Sequence, residues 1–177
     1  MLVGHYFSGS RHLVLICILL QVIACASPAR TVEMEVVEYS ASSEGRVSLA
    51  VTVYGDDVGG FASHYYPLPR ADFEKALLES LTKSGRFETM PRGSDSDFML
   101  SVGLIQLIQP QWSGTVTLET AWAVSDASID SEITRHSIRV ARPASFSKKR
   151  EATESVAQAS IVEGIQWLNS IVEPDSQ

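Results

Sequence analysis

From Val47 onward, apolar residues recur at every second position in several separate stretches, and one stretch of helical period interrupts them early. In "VSLAVTVY", Val47, Leu49, Val51 and Val53 fall on one side of an extended chain, Ser48, Ala50, Thr52 and Tyr54 on the other, and Gly55 ends the run. A period of two is that of a strand with one face covered. "ADFEKALLESLTKSG" changes period: Phe73, Ala76, Leu77 and Leu81 share one helical face, Pro69 or Asp72 opens the helix, and Gly85 follows Lys83 as its terminator. Alternation then returns in Arg86 to Thr89, in "DFMLSVGLIQLIQ" with a bulge expected near Gly103, in "TVTLETAWAVSDA" and in "SEITRHSIRVAR". The last long segment, "SKKREATESVAQASIVEGIQWLNSIV", has helical period with Ala152, Val156, Ala159, Val162, Ile165 or Gln166, and then Trp167, Leu168 and Ile171 along a broad stripe, and Pro174 lies past its end. The order strand, helix, strands, helix predicts an α+β fold: a two-layer sandwich of a mainly antiparallel sheet of 4–5 strands with two helices on one face.

The start of the chain is of another kind. Arg11 and His12 precede the unbroken apolar run Leu13 to Leu20, and Gln21, Val22, Ile23 and Ala24 follow. This is the layout of a cleaved secretory signal, and at about 11 residues the run falls short of the ~20 that cross a bilayer as a helix. The boundaries that follow are a signal at residues 1–24, a tether at 25–45 and one domain at 46–173. Within the tether, Val32, Met34 and Val36 alternate with Thr31, Glu33 and Glu35, a pattern compatible with a first strand over Thr31 to Tyr39. Cys17 leaves with the signal, so the remaining Cys25 has no partner for an internal disulfide.

The net charge of −7 sets the whole chain against nucleic acid, which demands a cationic surface. After the signal the histidines are His64 and His136, and neither has a His, Cys or carboxylate neighbour at metal-ligand spacing. Nucleophile-elbow, phosphate-loop and zinc-helix motifs are missing, and turn chemistry accounts for the paired aspartates of "YGDDVGG" and "GSDSDF". The expectation is a protein without catalytic residues, metal or cofactor.

Two features remain as candidate sites. Arg135, Arg139, Arg142, Lys148, Lys149 and Arg150 occupy a stretch without Asp or Glu. They form either a patch for anionic groups or a solvated connection to the last helix, whose Glu151 and Glu154 offset it. Arg135 and Arg139 share strand parity and should project from one face. Phe61, Tyr65, Tyr66 and Trp112 lie in loops or turns, and form either a docking surface or a cover for the end of the sheet.

"VIAC" resembles the bacterial lipobox, in which a cysteine after an aliphatic residue, a variable residue and a small residue receives a diacylglycerol. The resemblance makes Val22, Ile23 and Ala24 the recognition positions and Cys25 the acylated amino terminus. It implies membrane anchoring by the acyl chains, and Ala26, which is not aspartate, implies the outer membrane with the domain facing the periplasm. The plan of the domain, with "DFEKALLESLTKSGRFE" as its helix-then-strand passage, resembles small Gram-negative envelope lipoproteins of the lipopolysaccharide-assembly and ABC-transport auxiliary types. That implies a non-catalytic lipoprotein that binds a protein partner in envelope assembly or transport. The alternative is a lipid or glycolipid module using the basic segment 135–150.

Overall fold

The structure is a computed structural model and describes Met34 and residues 46–59, 65–126 and 131–172, with the backbone alone at 131–133. The acylation segment Val22 to Cys25 and Phe61 lie outside the described residues. So does the tether's alternating stretch apart from Met34, which is helical rather than extended and has no exposed surface.

Strand β1 (Val47–Tyr54) leads to helix α1 (Arg70–Lys83), then to β2 (Phe87–Met90), β3 (Phe98–Ile108), β4 (Gly114–Asp126) and β5 (Ser131–Ala144). A 3-10 turn (Phe146–Lys148) then opens helix α2 (Lys149–Val172). The five strands form one sheet in the order β2-β1-β3-β4-β5. β1 runs parallel to both β2 and β3, while β3, β4 and β5 are antiparallel neighbours. The strand, helix, strands, helix order and the α+β sandwich expected from the alternation are those observed. The sheet is mixed rather than mainly antiparallel: α1 is the crossover that makes β1 and β2 parallel, and the 91–97 connection then carries the chain to the other side of β1, so that β3 runs parallel to it as well.

Both helices lie on one face of the sheet, α1 against β1 and β2, α2 against β4 and β5, and they touch each other. Leu49, Val51, Val53, Leu100, Val102, Val116, Leu118, Trp122, Ile138 and Val140 point into this layer and are buried. Phe73, Ala76, Leu77 and Leu81 meet them from α1, and Gly85, at φ +71°, ends the helix in a conformation that glycine adopts without strain. At the start of β3, Asp97 clamps β1: its Oδ2 accepts from the Ser48 amide at 2.8 Å and the Ser48 hydroxyl at 2.7 Å. These hydrogen bonds hold its carboxyl below the usual carboxylate range.

The buried stripe of α2 differs from the expected one. Ala157 and Ile161, rather than Ala159 and Val162, join Ala152, Val156 and Ile165 in the core, and small or hydroxyl-bearing residues, Thr153, Ser160 and Gly164, lie among them. The reason is what rises from β4. The Trp122 indole N–H donates to Thr120 Oγ1 at 2.9 Å, Thr120 and Ser160 share a hydrogen bond at 2.8 Å, and the indole lies directly against Gly164. A Cβ on Gly164 would overlap the indole carbons Cζ2 and Cη2. The expected bulge is also displaced: the register shifts at Ile105, whereas Gly103 stays paired and lies beneath the Tyr54 ring.

Gly164→Ala tests this packing. Alanine improves helix propensity by up to ~1 kcal/mol, but forcing a methyl group into the indole costs about 1–3 kcal/mol. Urea unfolding is therefore expected to show a net loss of stability, and a gain would contradict the contact.

Candidate functional site

At the far end of the sheet, where β3 turns into β4 and β5 gives way to α2, three chain segments converge. Gln109 is their hub and is buried. Its Nε2 donates to the Tyr66 carbonyl at 2.7 Å and to Thr153 Oγ1 at 2.8 Å, while its Oε1 accepts from the Tyr66 amide at 2.9 Å. Thr153 in turn donates to the Lys149 carbonyl one turn back at 2.8 Å. One side chain thus ties the 65–68 segment and the β3–β4 turn to the first turns of α2.

Lys149 closes the arrangement from below. It is fully buried, close beneath the surface, and its Nζ donates to the Gln111 carbonyl at 2.6 Å. The same ammonium stands 5.1 Å from the Phe146 ring centroid and 5.7 Å from that of Tyr65. Cation–π contacts of this kind contribute roughly 0.5–2 kcal/mol each and strengthen as water is excluded. Burial nevertheless disfavours the charge and lowers the Lys149 pKa from its usual value. Above this cation, Phe146 packs against Trp112 with ring centroids 6.1 Å apart, and the two remain 53% and 69% exposed. Two large aromatics are held in place from beneath and left open to solvent above.

The structure therefore merges parts of the two sequence candidates. Tyr65 from the aromatic set meets Lys149 from the basic set, Phe146 joins that cation to Trp112, and Tyr66 is held through its backbone by Gln109. The basic residues do not form one surface. Lys149 faces inward, Arg150 pairs with Glu154 at 3.5 Å, and Lys148 and Arg142 are exposed near the aromatic end. Arg135 and Arg139 do share a face, as their parity predicts, but it is the sheet face away from the helices, where they pair with Ala123 and Glu119. A charge run read along the chain loses its unity because a strand turns alternate residues to opposite sides and the following turn buries one lysine.

Sequence reasoning missed Gln109, which carries no motif. A glutamine placed just before proline at the end of a strand was the available signal. It also assigned "YGDDVGG" to turn chemistry alone, whereas Asp57 Oδ1 accepts the Arg70 amide at 2.8 Å and caps the start of α1. His136 lies flat on Trp167, 5.4 Å between centroids. Among the described residues no group of three His, Cys, Asp or Glu side chains could hold a metal ion, and no helix is long and apolar enough to cross a membrane.

Comparison with protein-family models finds no match to the chain, and comparison with curated proteins finds none either. Solved structures share its fold. A Xanthomonas campestris protein of the DUF330 family superposes with a TM-score of 0.54 at 14% identity, over 75% of this chain and 91% of its own. A hypothetical protein of Chlamydia trachomatis does so with a TM-score of 0.55 at 10% identity, over 70% and 96%. A minor lipoprotein of Acinetobacter baumannii superposes less well, with a TM-score of 0.47 at 9% identity, over 72% and 95%. At such identities the first two share the sandwich with this chain, and what is common is the fold.

The buried cation has a measurable signature. Because the folded-state pKa of Lys149 is lowered, both states are protonated well below it, and above it the unfolded chain holds the extra proton until pH passes about 10.5. Stability should therefore rise with pH through that window. Lys149→Met is expected to lack this component in urea unfolding measured as a function of pH, and identical slopes in the two proteins would contradict a desolvated ammonium.

Proposed function

We propose that this chain is a non-catalytic bacterial envelope lipoprotein, anchored by acyl chains on Cys25 in the outer membrane and facing the periplasm, that binds a protein partner through its Trp112–Phe146 end. "VIAC" supports the anchor, and the exposed aromatic pair over Lys149 carries the binding reading. Monomeric proteins tolerate scattered exposed apolar residues, but a braced pair of large aromatics has the composition of an interface anchor.

The geometry adds direction. The chain leads from Cys25 into β1 at Val47, level with Phe87 of β2 and near Phe98 of β3. Trp112 lies past the other end of β3, beyond Ile108, and at 3.3 Å per residue the 11 residues of β3 separate the two ends by about 33 Å. The aromatic end is thus remote from the point where the tether joins the sheet, which suits a surface offered to another protein. The basic stretch gives a lipid-headgroup site less support, because its cations are split between the two faces and Lys149 is buried.

The reading is tested in intact cells with a photo-crosslinking residue in place of Trp112, and the same residue in place of the exposed Glu163 as a control. A protein adduct from position 112, missing from position 163 and lost with Cys25→Ala, is the expected result. Adducts with lipid alone at position 112 would overturn it in favour of the lipid module. Where the partner is recovered, Phe146→Ala should weaken it by ~30-fold, the factor that corresponds to about 2 kcal/mol for an interface anchor.

A further inference from the structure

The sheet face turned away from the helices holds a second feature, independent of the aromatic end. The register places Thr52, Ser101, Ala123 and Arg135 side by side across β1, β3, β4 and β5, and Tyr54, Gly103, Ala121 and Ser137 in the next row. With neighbouring strands about 4.8 Å apart, each row spans roughly 14 Å. Three of the four central positions, Ser101, Ala121 and Ala123, carry small side chains and the fourth, Gly103, is covered by the Tyr54 ring, so the floor is low between Tyr54 and the opposite flank. The result is a trough of about 660 Å³ walled by Tyr54 on one side and by Arg135 and Ser137 on the other.

The walls have a defined chemistry. The Tyr54 ring is laid over Gly103 so closely that a Cβ there would stand 2.6 Å from its Cε2, yet the residue stays 45% exposed. Its backbone-facing side is fixed and its other side is a flat platform. Ser101, Ser125 and Ser137 line the trough, and among the described residues none of their hydroxyls makes a hydrogen bond within the protein. Arg135 contributes a cation at the rim; it has an interaction of its own within the protein, and the five N–H donors of a guanidinium can serve a second partner as well. Glu119, which also lies on this face, sits farther along β4 opposite Arg139.

We propose that the trough binds a saccharide bearing a carboxylate or a phosphate group. An aromatic platform accepts the C–H face of a sugar ring, serine hydroxyls exchange hydrogen bonds with ring hydroxyls, and a guanidinium takes the anionic group in a forked pair of N–H donors. The volume is within the range of small-molecule sites. A second copy of the chain fits less well, since a floor of alanine, glycine and serine offers little of the apolar area that a stable dimer buries.

Saturation-transfer NMR on the intact lipoprotein in detergent micelles tests the proposal. The probes are digalacturonate and glucose 1-phosphate, with maltose as the neutral control. Transfer from the protein to the ring protons of one or both anionic sugars is expected, weaker by tenfold or more for maltose, and the responding sugar identifies carboxylate or phosphate as the anion. Ala123→Leu, which fills the floor from the solvent side, should abolish the signal while the thermal midpoint stays near wild type. Arg135→Gln should weaken it at least fivefold, and Trp112→Ala, at the remote end, should leave it unchanged. The proposal fails if neither anionic sugar responds, if maltose responds equally, or if the signal survives Ala123→Leu. It also fails if sedimentation shows a dimer that Ala123→Leu dissociates.

Discussion

The contact between Gly164 and the Trp122 indole sets the spacing between α2 and the sheet, and the rest of the architecture depends on it. A glycine in mid-helix costs about 1 kcal/mol of helix propensity. Here it lets the largest side chain of β4 come up against the helix, with its N–H donating to Thr120, whose hydroxyl in turn shares a hydrogen bond with Ser160 of α2. Once α2 is fixed on β4 and β5, its first turn has one place to be. Lys149 comes under the β3–β4 turn, Thr153 comes to Gln109, and Phe146 comes to Trp112. Core packing and the exposed aromatic pair are successive consequences of a single helix placement.

How legible this was from the sequence depended on the range of the interaction. The strands and helices were readable because alternation and helical period are local signals, and Val47 to Tyr54 and Phe73 to Leu81 carry them without interruption. The parallel pairing of β1 with β2 and β3 was not readable, since nothing in a strand's own pattern states its neighbour's direction. Gly103 looked like a bulge for the same reason, and nothing local marked the part that Gly164 plays. Each is explained by an aromatic ring from another element, Tyr54 in one case and Trp122 in the other. The aromatic end was half legible: Tyr65, Tyr66 and Trp112 stood out as loop aromatics, while Lys149 was grouped with the other cations of 135–150, as a patch or a solvated connection, and the fold turns it inward.

The two sides of the sheet are put to different uses. One carries both helices and most of the large apolar side chains, and it supplies the stability of the domain. The other keeps small residues and hydroxyls across β3 and β4 between Tyr54 and Arg135. The aromatic end belongs to neither side, being built where turns and the start of α2 meet.

Hydrogen exchange read by mass spectrometry, comparing the lipoprotein in native envelopes with the same protein purified in detergent, bears most directly on the claim that the aromatic end is the working surface. Slower exchange in envelopes is expected at the β3–β4 turn and at Ser145 to Lys149, with α1 and the middle of α2 unchanged. Identical exchange at those two segments in both settings, or protection confined to α1, would contradict it.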